Sequence, residues 1–124
     1  MICIVEDDDR MRTATTSLVR SLGYATRAFA SAEEYLRCGH SPPPMCLIAD
    51  VQMPGMNGLE MQARMLAGGD PTPIIFVTGF PDDQIRTRAL ASGAVAFLIK
   101  PFSGDTLCEC IECALNRSDR SPFD

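Results

Sequence analysis

The chain has 124 residues, of which 46% are apolar and 22% charged, a composition that predicts one globular domain with a single core. The formal net charge of −5 argues against nonspecific binding to nucleic acid or to an anionic membrane. No apolar run approaches the roughly 20 residues that a membrane span needs. Acidic residues from Glu6 onward argue against a signal peptide, so we expect a cytoplasmic location.

Short apolar runs that predict strands alternate with segments of helical spacing along the chain. In chain order the predicted elements are strand 2–5, helix 10–22, strand 24–29, helix 32–38, strand 45–49, helix 59–66, strand 74–77, helix 81–92, strand 95–99 and helix 105–115. Strand 24–29 is less apolar than the others, so we place it near an edge of the sheet. Gly23, Gly68 and Gly93 are expected to end three of the helices.

Two helices carry more specific patterns. The first helix has one stripe of apolar residues at helical spacing, formed by Met11, Ala14, Leu18 and Leu22. Ser31 is predicted to cap the second helix, and Glu34, three residues later, to complete a capping box.

Five strands that alternate with helices predict an α/β domain in which helices cover both faces of a parallel sheet. Right-handed crossovers leave few arrangements for such a chain. We predict the flavodoxin-like, doubly wound order, in which the five strands lie as 2-1-3-4-5.

Polar residues follow four of the predicted strands. Glu6 and Asp7 follow the first strand, Asp50 the third, Thr78 the fourth and Lys100 the fifth. In the order 2-1-3-4-5 these four strands are consecutive neighbours about 4.8 Å apart, and their carboxyl ends meet at one edge. The pattern therefore predicts one pocket that contains three acids, a hydroxyl and an ammonium group.

This set of side chains suits phosphoryl transfer. Three neighbouring carboxylates repel one another and need a cation, and oxygen ligands of this kind suit Mg²⁺. Asp50 could then attack phosphorus and form an aspartyl phosphate. Lys100 would neutralise phosphate charge, and the Thr78 hydroxyl could bind a phosphate oxygen.

The chain resembles the receiver domain of two-component response regulators over residues 1–116, and within that family it resembles the FixJ-like class. The resemblance rests on four motifs in order: Val5-Glu6-Asp7-Asp8, Asp50-Val-Gln-Met-Pro-Gly-Met-Asn-Gly58, Val77-Thr78-Gly79 and Lys100-Pro101-Phe102. Receivers of the FixJ-like class usually precede a helix-turn-helix DNA-binding domain. Because residues 117–124 are polar and typical of a linker, we expect an output domain beyond them.

The resemblance implies a role for each acid. Asp50 is the expected phosphoacceptor for a histidine kinase. Asp7 and Asp50 are expected to bind Mg²⁺ with the backbone carbonyl of Gln52, whereas Glu6 is expected to act mostly through a metal-bound water. The family more often has Asp at the position of Glu6.

The resemblance also implies a switch. Thr78 and Lys100 are expected to contact the phosphoryl group, and Phe97 stands at the position of the switch aromatic, where Tyr would carry a hydroxyl. The Lys100–Pro101 peptide bond is expected to be cis. Phosphorylation would then reshape the surface of the fourth helix and fifth strand, which would bind a partner such as a second receiver. Phe80 is apolar where some members carry a polar side chain that affects dephosphorylation.

Other interpretations remain open from the sequence. Acids after a first strand are often only a helix cap. A small Mg²⁺-dependent phosphohydrolase would also use an aspartyl nucleophile, but it generally needs a second acid where this chain has Gln52. A degenerate receiver would serve only as a protein-binding module, and the loss of an acid or the lysine would be expected.

The cysteines and the single histidine are further candidates for chemistry. On a helix Cys110 and Cys113 share a face while Cys108 points elsewhere, which favours packing over a metal or redox site. His40 lies in a proline-rich loop with no catalytic partner nearby in the sequence, so we expect it at the surface.

Overall fold

The computed structural model describes residues 1–40 and 42–119, with side chains described at 1–40 and 42–116. Strands and helices alternate throughout this part of the chain. The elements are β1 (Ile2–Val5), α1 (Asp9–Ser21), β2 (Thr26–Phe29), α2 (Ala32–Arg37), β3 (Cys46–Asp50), α3 (Gly58–Ala67), β4 (Ile74–Thr78), α4 (Asp83–Ala91), β5 (Ala96–Ile99) and α5 (Gly104–Asp119).

The five strands form one parallel sheet in the order β2-β1-β3-β4-β5, which confirms the predicted fold class and strand order. β2 lies at an edge, as its lower apolar content predicts. Backbone pairing continues one residue beyond two strands, because Glu6 N donates to Phe29 O at 3.0 Å and Lys100 N donates to Thr78 O at 2.8 Å. These bonds fix the direction of the chain where it leaves the sheet.

Alternate residues of each strand enter two separate cores, one on each face of the sheet. On one face α1 and α5 cover the sheet, and Val19, Leu107 and Ile111 pack with Ile4 and Ile48. On the other face α2, α3 and α4 cover it, in a core that includes Tyr35, Met61, Ala89, Val5 and Phe76. Burial of each large apolar side chain contributes roughly 1.5–3 kcal/mol. Helices thus pack on both faces of the sheet and fix the positions of its strand ends.

The helix ends differ from the sequence prediction in two places. Ser31 caps α2 by accepting a hydrogen bond from Glu34 N at 3.0 Å, but the described side chains give no return bond from Glu34. The full capping box lies at α3, where Asn57 and Glu60 exchange hydrogen bonds of 2.9 and 3.1 Å. That cap fixes the end of the loop that follows Asp50.

The buried face of α1 is rotated relative to the predicted stripe. Thr15 and Val19 are buried, and Leu18 and Leu22 are half-buried beside them, whereas Ala14 is exposed. The helix turns the 15/18/19/22 side toward the sheet, where Val19 packs in one core with Ile4 of β1 and Ile48 of β3.

Several boundaries differ by a few residues. Asp50 and Thr78 are the last residues of β3 and β4, one residue inside the sheet relative to the prediction. α5 continues to Asp119, so helix extends past the predicted end at Leu115 and into the predicted linker-like tail. The rest of that tail, residues 120–124, lies outside the described residues. Within the described residues, no helix has the length and apolar character needed to cross a membrane.

Candidate functional site

The polar residues predicted at the strand ends lie together at the carboxyl edge of the sheet. Glu6 follows β1, Asp50 ends β3, Thr78 ends β4 and Lys100 follows β5. Glu6, Asp50 and Thr78 are buried, with exposed fractions of 3%, 7% and 1%. The Lys100 side chain is 17% exposed. Asp7, the fifth member, is exposed, so the group opens to solvent on one side only.

Three carboxylates meet at this edge. Glu6, Asp7 and Asp50 each place an oxygen within 4.8 Å of the other two. Charges this close are costly unless a cation neutralises them. A set of three carboxylates, two buried and one open to solvent, fits a hard divalent cation that keeps part of its water shell, as Mg²⁺ does. The predicted residues therefore fit the implied metal.

Lys100 joins two of these acids. Its ammonium Nζ lies 2.7 Å from Glu6 Oε1 and 3.3 Å from Asp50 Oδ2, a contact between residues 94 positions apart in the first case. The positive charge partly compensates the two buried carboxylates. Lys100 is also the only lysine in the sequence.

Burial and neighbouring charges shift the pKa values of this pair. Burial raises the pKa of Glu6 from 4.5 to about 7; the hydrogen bond from Lys100 opposes this rise, and Asp50 adds to it. Burial alone would lower the pKa of Lys100, but hydrogen bonds and charges from Glu6 and Asp50 outweigh it and raise the pKa above 10.5. Lys100 is therefore a cation at neutral pH.

The loop after β3 orients the Asp50 carboxylate. Gln52 N donates to Asp50 Oδ1 at 3.1 Å, while Oδ2 faces Lys100. The carboxylate is therefore held at both oxygens. The predicted role of the Gln52 carbonyl as a metal ligand remains a prediction.

Gly58 lies against the backbone at the end of β3. The predicted helix starts at residue 59, but Gly58 is the first residue of α3 and is buried against the end of β3. A Cβ at this position would lie 2.6 Å from Asp50 O and 2.9 Å from Phe76 Cε1. Only glycine lets α3 begin this close to the end of β3. This contact could not be predicted from the residues alone, because it depends on the distance between two elements.

The two predicted switch residues lie on adjacent strands. The buried Thr78 hydroxyl accepts a hydrogen bond from Phe80 N at 3.1 Å. Phe97 is paired with Phe76 across β4 and β5 and is half-buried against the core under α2, α3 and α4. The Lys100–Pro101 peptide bond is cis, as predicted. The roles of Thr78 and Phe97 in switching remain predictions.

Arg12 is a second contact that sequence reasoning missed. From the first turns of α1, its Nη1 donates to Glu6 O at 3.0 Å and lies 3.5 Å from Asp7 O. Its Nη2 pairs with Asp9. The guanidinium thus binds the backbone of the loop that carries two of the acids.

The other candidates lie away from this edge. All six cysteines are free: Cys3 and Cys46 are buried, Cys110 packs beside the α1–α5 core, and Cys113 is exposed. Burial raises the pKa of Cys46 to about 12, as expected for an unreactive core thiol. His40 was expected at the surface, but it is half-buried. Its ring stacks on Tyr35 with centroids 4.2 Å apart because the loop folds back over α2.

Two cavities lie near the sheet edges. The larger, of about 490 Å³, lies at the amino edge between the loops that precede β3 and β4, far from the clustered acids. The other, of about 410 Å³, lies beside the loop that follows Asp50, between Met53 and Ile85. The converging charges, rather than cavity size, identify the candidate site.

Comparison with known sequences identifies one family for this chain. Residues 2–112 match the family described as the response regulator receiver domain. Nodulation protein W of Bradyrhizobium diazoefficiens is 39% identical over 117 residues, which are 94% of this chain and 52% of that protein. Transcriptional regulatory protein FixJ of the same organism is 36% identical over 118 residues, 95% of this chain and 58% of that protein.

The fold gives the same result. The crystal structure of FixJ-N has a TM-score of 0.83 at 30% identity and covers 93% of this chain and 92% of that chain. The chain spans about half the length of the curated relatives it matches. The four motifs at the strand ends, the parallel sheet and the match over residues 2–112 lead to one conclusion: the chain belongs to the family of response regulator receiver domains.

Proposed function

We propose that this domain accepts a phosphoryl group on Asp50 from the phosphohistidine of a sensor kinase and transmits that event through its surface. One observation carries the proposal most directly. A lysine ammonium bonds two buried carboxylates at 2.7 and 3.3 Å, at an edge where three carboxylates lie within 4.8 Å. Such a site has the nucleophile, the metal ligands and the cation that phosphoryl transfer needs.

Each residue then has a defined task. An Asp50 carboxylate oxygen forms the new bond to phosphorus as the phosphorus–nitrogen bond of phosphohistidine breaks, and the released imidazole takes up a proton. Glu6, Asp7, Asp50 and the Gln52 carbonyl are the residues that would hold Mg²⁺. When bound, Mg²⁺ supplies positive charge that offsets the negative charge of the phosphoryl oxygens.

Lys100 has two alternative partners in this reaction. Before transfer, its ammonium pairs with Glu6 and Asp50. After transfer, the phosphoryl oxygens carry more negative charge than the Asp50 carboxylate did, so the ammonium turns toward them. This exchange stabilises charge where it develops and needs no new positive group.

The signal leaves the site through Thr78 and Phe97. To donate to a phosphoryl oxygen, the Thr78 hydroxyl gives up the hydrogen bond that it donates to Phe80 O at 3.4 Å. Phe97 then moves into the space beside Thr78, and the surface formed by α4 and β5 changes shape. This is a local charge change that biases a two-state element.

The partners follow from this switch. A sensor histidine kinase supplies the phosphoryl group, and the α4–β5 surface binds a second receiver as a homodimer. Because one relative is a transcriptional regulatory protein, we propose that a separate DNA-binding domain provides transcription control in the cytoplasm. The receiver itself works as a switch that modifies itself once per cycle, not as a conventional enzyme.

The test is phosphorylation by a small donor. The protein is incubated with Mg²⁺ and phosphoramidate, and its intact mass is followed with time. We expect one added phosphate in the parent protein and none in Asp50→Asn. Asp83→Asn is the matched control, because Asp83 is an exposed acid on α4 away from the cluster, and it should gain phosphate at the parent rate.

Two other outcomes would replace the proposal. Continuous release of phosphate over many turnovers would make the domain a phosphohydrolase. No adduct together with no binding of Mg²⁺ by calorimetry would make it a protein-binding module without phosphoacceptor chemistry.

A further inference from the structure

We propose that Arg12 is a positioning residue that holds the loop of residues 6–8 so that Asp7 faces the cation site; this inference rests on the proposed function. Arg12 lies on α1 and touches neither Asp50 nor Lys100 through any described hydrogen bond. Its guanidinium instead binds the loop backbone, at 3.0 Å to Glu6 O and 3.5 Å to Asp7 O. The side chain is only 22% exposed.

Asp7 needs such support because its own side chain is not held. Its carboxylate is exposed and forms no hydrogen bond within the described part of the chain, unlike Glu6, which Lys100 and Asp8 N both contact. The direction of the Asp7 carboxylate therefore depends on the backbone on either side of it. Arg12 binds that backbone at two successive carbonyls.

An arginine suits this position better than a lysine. Nη1 faces the carbonyls of Glu6 and Asp7, while Nη2 pairs with Asp9 at the start of the helix. A planar guanidinium can bond in both directions at once, whereas one ammonium cannot bridge both partners with the same geometry. The two-sided contact ties the loop to the first turn of α1.

Charge and positioning predict opposite effects of removing Arg12. Arg12 is a cation close to a site for a cation, so the loss of its charge alone should tighten binding of Mg²⁺. If Arg12 positions the loop, its loss should weaken binding, because Asp7 no longer points into the cluster. The sign of the change therefore separates the two roles.

The experiment measures the dissociation constant of Mg²⁺ by titration calorimetry on the parent protein, Arg12→Gln, Arg12→Lys and Arg10→Gln. Arg10 is the matched control, since it is exposed two residues earlier in the same helix and its side chain makes no hydrogen bond to the described loop. We expect Arg12→Gln to weaken binding about tenfold and Arg12→Lys at least about threefold, as for residues that orient metal ligands. Arg10→Gln should stay within about twofold of the parent.

A second measurement separates positioning from general damage. Phosphorylation by phosphoramidate should need more Mg²⁺ in the Arg12 variants, yet reach the parent rate once Mg²⁺ is saturating. If Arg12→Gln does not fold, as judged by circular dichroism, Arg12→Lys decides alone. Either folded variant that binds Mg²⁺ as tightly as the parent, or more tightly, overturns the inference. Failure of the parent protein to bind Mg²⁺ would instead overturn the proposed function.

Discussion

The two ends of the sheet differ in the partners that they offer to a carboxylate. At the carboxyl end, Glu6 and Asp50 are buried beside each other and share one ammonium group, that of Lys100. At the amino end, Asp70 lines a cavity of about 490 Å³ and is satisfied locally, because its Oδ1 accepts bonds of 3.0 and 2.6 Å from Thr72 N and Oγ1. The acid in the larger cavity, Asp70, is therefore satisfied by hydrogen bonds within its own loop.

The contrast follows from the geometry of a parallel sheet. Loops at the amino end contain prolines before β3 and β4, and in the described part of these loops Asp70 bonds to Thr72 of its own loop. Loops at the carboxyl end start from the last buried residue of each central strand, so their first side chains converge. The proposed site therefore rests on the convergence of charges at the carboxyl end, whereas cavity volume alone would indicate the amino end.

Replacing Lys100 by Met should have the largest effect at the carboxyl end. Phosphorylation of Asp50 at saturating Mg²⁺ should slow by about 10²-fold, because a preorganised positive group is lost where charge develops. Binding of Mg²⁺ should tighten, since Lys100 no longer neutralises Glu6 and Asp50. Intact-mass time courses and calorimetry measure the two effects separately.

Arg64→Met is the control for that change. It removes one positive charge from the exposed last turn of α3, near the amino end of the sheet, and should leave both measurements within about twofold of the parent. Equal effects from Lys100→Met and Arg64→Met would show that net charge matters and that its location does not.

The second prediction concerns the lack of space for a side chain at Gly58. A methyl group at Gly58 would lie 2.6 Å from Asp50 O, so Gly58→Ala should lower the free energy of unfolding by about 1–3 kcal/mol. Gly39 lies in the loop after α2 with open space around it, and Gly39→Ala should change that energy by less than about 0.5 kcal/mol. Urea unfolding of both variants gives the comparison, and a larger cost at Gly39 would contradict it.

The sheet could be predicted from the sequence, but the packing of Gly58 against the end of β3 could not. Each central strand is an apolar run that ends in a polar residue, so strand order and the meeting of Glu6, Asp50 and Lys100 follow from local pattern and parallel topology. The close approach at Gly58 depends on the distance between α3 and β3. The Arg12 contact likewise depends on where a long side chain ends in space, which no spacing rule gives.

The α1 helix shows the same limit in the core. Its residues allow an apolar stripe through Met11 and Ala14, but the sheet surface selects the side with Thr15 and Val19. Because the buried Thr15 is polar, a hydrophobicity pattern does not indicate which side of the helix is buried. Element type is thus encoded locally, whereas rotation about the helix axis is decided by the partner surface.

The third prediction uses the raised pKa of Glu6. Without metal, the folded protein keeps the Glu6 proton to about pH 7, whereas the unfolded chain releases it near pH 4.5. Stability from Glu6 is therefore full below pH 4.5 and is lost as pH rises through about 7. Relative to Glu6→Gln, the parent should lose unfolding free energy across this window. Urea unfolding in EDTA at several pH values measures the difference; a constant or rising difference would contradict the shift.

The smallest effect is expected at the amino end. Leu66 lines the 490 Å³ cavity but is 53% exposed, so Leu66→Ala removes little buried surface and should cost less than about 0.5 kcal/mol in urea unfolding. Because Leu66 lies in the last turn of α3, at the other end of the helix from Gly58, the affinity for Mg²⁺ and the rate of phosphorylation should stay within about twofold. A tenfold change in either would mean that α3 transmits strain along its length to Gly58 and that the two ends of the sheet are coupled. The absence of a change would agree with a site in the loops of the carboxyl end that does not depend on the cavity at the amino end.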